Sequence, residues 1–264
     1  MERGAFARSQ MQGRYRDAAQ LRDAGLDGVI VTGAAPRARN LRDEPYWAQL
    51  AALVDQVAAG AAPSLWSCLA AHAAVLHLDG VERRRWPAKL TGVFSWERAG
   101  DEAALLGLPP RGVTPHSRFN DLAEDDLTAK GYRILTRSPR AGVDLFAKRF
   151  GGSCLFLQGH PEYDADSLLR EFKRDLARWT RGESEPPAIP AGYFPAALER
   201  RLHEMVASDR GAADGASAPS LARALRAFAP ARLWSDAATA TFGAFLAMAA
   251  AEKGRPVGRI ATAS

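Results

Sequence analysis

Apolar periodicity switches back and forth between strand-like and helix-like in the first third of this chain, and that alternation limits its fold more than any other feature. Residues 27–34, Asp-Gly-Val-Ile-Val-Thr-Gly-Ala, read as a short buried strand closing in a glycine turn. Residues 44–59 have helical spacing, with Trp47, Leu50, Leu53, Val54 and Val57 on one side. A second short strand is expected at 63–67. Residues 68–78 then form a helix with almost no charge, and a helix without a polar face has to be buried all round. This order predicts an α/β three-layer sandwich with a mostly parallel sheet.

Further strands are expected at 92–96, 131–136, 143–150 and 153–158. Residues 166–181 form an amphipathic helix with Leu168, Leu169, Phe172, Leu176 and Trp179 on its apolar side. The Pro-rich stretch 183–192 reads as a loop, residues 208–220 as flexible, and helical spacing returns over 231–253. The expected organisation is an α/β domain over residues 1–200, a flexible insertion over 201–230, and a C-terminal helix over 231–264 that docks back.

Hydrophobic residues make up 47% and charged residues 25% of the 264 positions, ordinary for a soluble globular protein. The formal net charge of +5 comes from scattered arginines with no recognition motif, so no nucleic-acid partner is expected. Two cysteines cannot staple a chain of this size. Residues 1–20 carry no signal-peptide apolar core, and the Ala-rich run 237–251 is too short to span a bilayer. These features point to the cytoplasm and away from membranes. No His/Cys/Asp spacing suggests a metal site.

The chemistry concentrates in two places. In Gln158-Gly159-His160-Pro161-Glu162-Tyr163-Asp164, Pro161 biases His160 toward an extended backbone. Residues two apart then share a side, so Glu162 can hold the His160 imidazole in one tautomer. Cys68 sits where a short strand meets a helix. There the helix dipole favours thiolate, and backbone N–H groups can stabilise an oxyanion. Cysteine, histidine and an orienting carboxylate are the parts of a nucleophilic acyl-transfer site; a buried, inert Cys68 is the competing reading. Cys154 lies inside a strand as a core residue. His72 and His77 read as packed groups on the buried helix, His116 as a loop residue and His203 as a surface residue.

Several ordered motifs resemble one family. Residues 27–34 leading to Tyr46-Trp47, then Ser67-Cys68-Leu69-Ala70, Lys89-Leu90-Thr91-Gly92-Val93-Phe94, Pro115-His116-Ser117-Arg118-Phe119, Gly159-His160-Pro161-Glu162-Tyr163-Asp164, Glu171-Phe172-Lys173-Arg174-Asp175 and Tyr193-Phe194-Pro195 look like homoserine O-acyltransferase of the MetA type. The resemblance implies a class I glutamine amidotransferase-like (flavodoxin-like) fold and methionine biosynthesis. It implies acyl transfer from succinyl-CoA, favoured over acetyl-CoA, to homoserine or a similar hydroxy amino acid, with acyl-CoA as co-substrate and no bound cofactor. It makes Cys68 the nucleophile, His160 the general base and Glu162 its support, with Lys89 and Ser117 contacting substrate and Arg174 binding the amino acid's carboxylate. A homodimer is left open.

Two departures stand out. The family carries an additional N-terminal strand region before Val29, which this chain is expected to lack. Arg37 falls where the family usually has glycine or glutamate, at a position that influences which acyl group is accepted; it either pairs with a succinyl carboxylate or is an exposed loop arginine. An amidotransferase-like cysteine hydrolase and a truncated non-catalytic relative remain alternatives.

Overall fold

A computed structural model describes residues 25–209 and 223–253, together with Ser9 and Tyr15. The first alternation gives β1 (Val29–Val31), α1 (Trp47–Ala59), β2 (Ser64–Ser67) and α2 (Leu69–Asp79). A long hairpin follows, β3 (Arg84–Arg98) and β4 (Arg111–Asp121), with the short α3 (Asp101–Leu105) in its connection. Then come α4 (Glu124–Ala129), β5 (Arg133–Ser138), β6 (Gly142–Arg149), β7 (Ser153–Leu157), α5 (Ser167–Thr180), α6 (Ala196–Asp209) and α7 (Ser235–Glu252).

The seven strands form one sheet in the order β1-β2-β7-β6-β5-β3-β4. The α/β class is as expected, but the sheet is mixed rather than mostly parallel. Among the described strands, β1–β2 and β2–β7 pair in parallel and the other strand pairs are antiparallel. The cause is connection length. Three residues separate β5 from β6 and three separate β6 from β7, too few for the crossover a parallel pair needs.

Strands buried on both faces make the layers. On β2 and β7, Trp66, Cys154 and Phe156 join the cluster under α1 and α2, with Ala70, Ala74 and Val75. Leu65, Leu155 and Leu157 point the other way, toward Ala244 and Phe245 of α7. The charge-poor α2 is buried from Leu69 through Leu76, as its composition requires. A third cluster joins α5 and α6 through Phe172, Leu176, Leu202 and Val206 to Phe194 and Trp234.

Residues 201–209, expected to open a flexible insertion, are helical and bury Leu202 and Val206. Most of the expected flexible stretch 208–220, and the region before residue 25 where a strand was expected to be missing, lie outside the described residues. Strand β4 escaped the sequence reading because Pro115 lies in its middle. In the described sheet β4 is an edge strand, where proline is tolerated. His116 is therefore not in a loop: it is fully buried on β4. Among the described residues, no helix is long and apolar enough to cross a membrane.

One buried side chain ties the centre together. Gln158, fully buried just beyond β7, accepts the Leu122 N–H at 2.8 Å, donates to the carbonyls of Val143 and Leu122 at 2.8 and 3.3 Å, and meets His72 Nε2 at 3.1 Å. Burial drives the His72 pKa down to about 3, so its imidazole is neutral. Gln158→Ala strands these backbone groups without water. It is expected to cost about 2–4 kcal/mol, read as a lower urea midpoint at unchanged slope.

Candidate active site

Strands β2 and β7 run parallel with Ser67 opposite Leu157. One residue further, the Cys68 N–H donates to the Leu157 carbonyl at 2.7 Å, and the His72 N–H donates to the Cys68 carbonyl at 3.1 Å. The chain passes from strand to helix within Cys68 itself, at φ 50° and ψ −114°; among the described residues it is the one non-glycine with positive φ. Such a backbone costs about 1–3 kcal/mol and persists only where its surroundings enforce it. A sharp strand-to-helix turn presents a nucleophile at a helix N-terminus beside unpaired N–H groups. The turn after β1 closes on the same point: a Cβ on Gly33 would lie 2.8 Å from the Leu69 nitrogen, so only glycine lets the two backbones approach so closely.

His160 lies beyond the end of β7, and its N–H donates to the Pro115 carbonyl at 2.8 Å. The two parallel strands thus deliver Cys68 and His160 side by side at their C-terminal ends. His160 Nδ1 contacts Glu162 Oε1 at 2.9 Å, the expected pairing, but through a turn rather than an extended chain: the Tyr163 N–H donates to the His160 carbonyl at 3.1 Å, and Nε2 is left for the sulfur. Ser67 Oγ donates to the same Glu162 oxygen at 3.1 Å. Burial disfavours the imidazolium, but electrostatic attraction and a hydrogen bond to the Cys68 sulfur, aided by Glu162, outweigh it and raise the His160 pKa to about 10. Burial also opposes the Glu162 carboxylate, and hydrogen bonds from His160 and Ser67 hold it below the usual carboxylate range.

The second predicted group converges as well. Ser117 on β4, Lys89 on β3 and Arg174 on α5 meet around two carboxylates, Glu171 and Asp175. Lys89 Nζ lies 3.2 Å from Glu171 Oε2 and 2.9 Å from Asp175 Oδ2. Ser117 Oγ donates to Glu171 Oε2, and Arg174 Nε donates to Asp175 Oδ1 at 2.9 Å. Glu171 is the residue to which sequence reasoning gave no role. Its signal was there: with Arg174 and Asp175 at i+3 and i+4 it shares one helix face. Burial would raise its pKa, but hydrogen bonds from Ser117, Tyr163 and Lys89 keep it ionised. A cavity of about 300 Å³ opens here, lined by Tyr163, Ser167, Arg170, Glu171 and Arg174.

Tyr163 joins the two groups. Its ring stacks on His160 at 4.3 Å between centroids, and its hydroxyl donates to Glu171 Oε1 at 2.5 Å. Arg37 stands exposed on the loop after β1. Buried Glu44 accepts the N–H groups of Arg37 and Ala38 at 2.5 and 2.7 Å, while Arg83 Nη2 donates to the Arg39 carbonyl at 2.6 Å. Among the described residues, no group of three or more His, Cys, Asp or Glu side chains could hold a metal ion.

The imidazolium makes a direct test possible. Nitrogen-detected titration is expected to show His160 still protonated at pH 7.5, because its pKa lies well above the ordinary value. Cys68→Ala removes the leading upward influence and leaves burial opposed by Glu162 alone. The midpoint is then expected to fall toward the ordinary histidine value of about 6.5.

A family model described as HTS, homoserine O-succinyltransferase, matches residues 1–212. The homoserine O-succinyltransferase of Rhodopseudomonas palustris is 49% identical over 217 residues, covering 82% of this chain and 65% of that protein. The enzyme of the same name from Methylorubrum extorquens is 46% identical over 250 residues, covering 93% and 75%. The chain thus spans just under two thirds of the first relative's length and three quarters of the second's. Among solved structures, it is similar to a glutamine amidotransferase from Methylobacillus flagellatus at a TM-score of 0.47 and 16% identity, covering 89% of this chain and 98% of that one.

Proposed function

The chain belongs to the homoserine O-succinyltransferase family, and from that premise we propose that it transfers a succinyl group from succinyl-CoA to the hydroxyl of homoserine through a thioester on Cys68. The observation that carries this reading is the meeting of Cys68, His160 and Glu162 at one end of the sheet, joined by Tyr163 to a pocket able to bind a zwitterion.

The Cys68 thiolate attacks the thioester carbonyl. The bond to the CoA sulfur breaks, and the His160 imidazolium supplies the proton that CoA takes away. The backbone N–H groups at the start of α2 are the donors that this reading assigns to the oxyanion. Acylation then removes the very charge that held the His160 proton. The imidazole that results is neutral, oriented by Glu162, and competent to take the proton of the incoming hydroxyl. That oxygen attacks the acyl carbon, the ester leaves, and thiolate and imidazolium are restored. A thioester exchange followed by a thioester-to-ester transfer replaces one direct transfer.

Homoserine carries an ammonium and a carboxylate. Glu171 is the acceptor for the ammonium, and Arg174, at the cavity's edge, is the partner for the carboxylate. The names of the relatives favour the succinyl donor, and Arg37 offers a cation for its distal carboxylate. The expected location is the cytoplasm.

Intact-mass measurement with succinyl-CoA tests the reading. A succinyl adduct is expected on the native protein and not on Cys68→Ala, and homoserine is expected to discharge it faster than water. An adduct discharged equally by water would point to a hydrolase instead. Glu171→Gln is expected to leave adduct formation unchanged while lowering kcat/KM for homoserine by about 10- to 100-fold, the loss of one charged hydrogen bond.

A further inference from the structure

Glu162 is more open to solvent than the imidazole it orients. Its side chain is 44% exposed, and a cavity of about 360 Å³ opens behind it, lined by Ile30, Leu65, Ser67, Pro161 and Phe242 among others. The imidazole, stacked on Tyr163 and with its backbone N–H bonded to the Pro115 carbonyl, holds one oxygen of Glu162. Ser67 holds the same oxygen. It is 2% exposed, it ends β2 opposite Leu157, and it immediately precedes the nucleophile. Its hydroxyl donates at 3.1 Å to Glu162 Oε1, the atom that faces His160 Nδ1 at 2.9 Å.

We propose that Ser67 is a positioning residue: its hydroxyl pins Glu162 to the strand that carries Cys68, so that the carboxylate orienting His160 is set from the same backbone as the sulfur. The proposal rests on the reading of His160 and Glu162 as base and orienter, and it gives the residue before the nucleophile a part that acts only through Glu162.

The test is the rate of Cys68 alkylation by iodoacetamide across pH 5–9, read by peptide mass, in native protein, Ser67→Ala, Glu162→Gln and the double variant. Ser67→Ala is expected to slow alkylation at neutral pH by about tenfold, in line with a hydrogen bond to a charged group. In the Glu162→Gln background the same change is expected to do nothing further. Equal slowing in both backgrounds, or none in the native one, overturns the proposal. The His160 Nδ1 proton signal gives a second readout, expected to be sharp in native protein and broadened by exchange in Ser67→Ala. If the alanine variant does not fold, Ser67→Cys, of similar size but a weak donor, carries the same spectroscopic test, and an unchanged signal there counts against the role. Alkylation needs neither acyl-CoA nor homoserine. A chain without transferase activity would therefore refute the proposed function and leave this inference standing.

Discussion

The parallel pairing of β2 with β7, carried one residue past the strand into the Cys68 N–H to Leu157 carbonyl bond at 2.7 Å, is the constraint on which the site depends. It fixes the nucleophile's backbone at the point where strand becomes helix, and it does so against a strained φ of 50°. Because β7 is the partner, the residue three beyond Leu157 is His160, so base and nucleophile stand beside each other by register. Glycine at 33 and the buried Gln158 serve the same end: one admits a third backbone to the turn, and the other locks the exit of β7 to Leu122 and Val143.

The electrostatics follow from that register. A buried imidazole left to itself would be neutral, as His72 is with its pKa near 3. His160 differs because the Cys68 sulfur and the Glu162 carboxylate flank it, and together they outweigh burial. Charge on the sulfur and charge on the ring are therefore one linked property. Losing the first releases the second, which allows a single histidine to serve as acid in one half-reaction and base in the next under the proposed chemistry.

Elements were legible where sequence period matched burial. The charge-poor helix, the apolar strands at the centre and the amphipathic α5 all declared themselves. The pairing of His160 with Glu162 was legible too, although a turn closed by the Tyr163 N–H and the His160 carbonyl makes it, not the extended chain that Pro161 suggests. The sense of the sheet was not legible from period. Doubly buried strands look alike whether parallel or antiparallel, and only the three-residue connections around β6 distinguish them. Strand β4 was hidden by Pro115, and with it the burial of His116. Glu171 was hidden for a different reason: on a charged helix face, a carboxylate that organises Ser117, Tyr163 and Lys89 reads the same as one that merely faces solvent.

The mixed sheet has a consequence for the site. A wholly parallel sheet would bring helix N-termini to this end but no further strands. Here β3 and β4 form a long hairpin of which β3 pairs with β5 only at Glu97 and Arg98. The arms beyond that contact are free to reach over the end of β7, where the Pro115 carbonyl receives the His160 N–H. That reach places Lys89 and Ser117 against α5. Lys89 also resolves a conflict within the helix: Glu171 and Asp175, four residues apart, would repel, and a shared cation 3.2 and 2.9 Å away allows both to stay ionised. The parallel half of the sheet sets the nucleophile and its base, and the antiparallel half builds the polar pocket beside them.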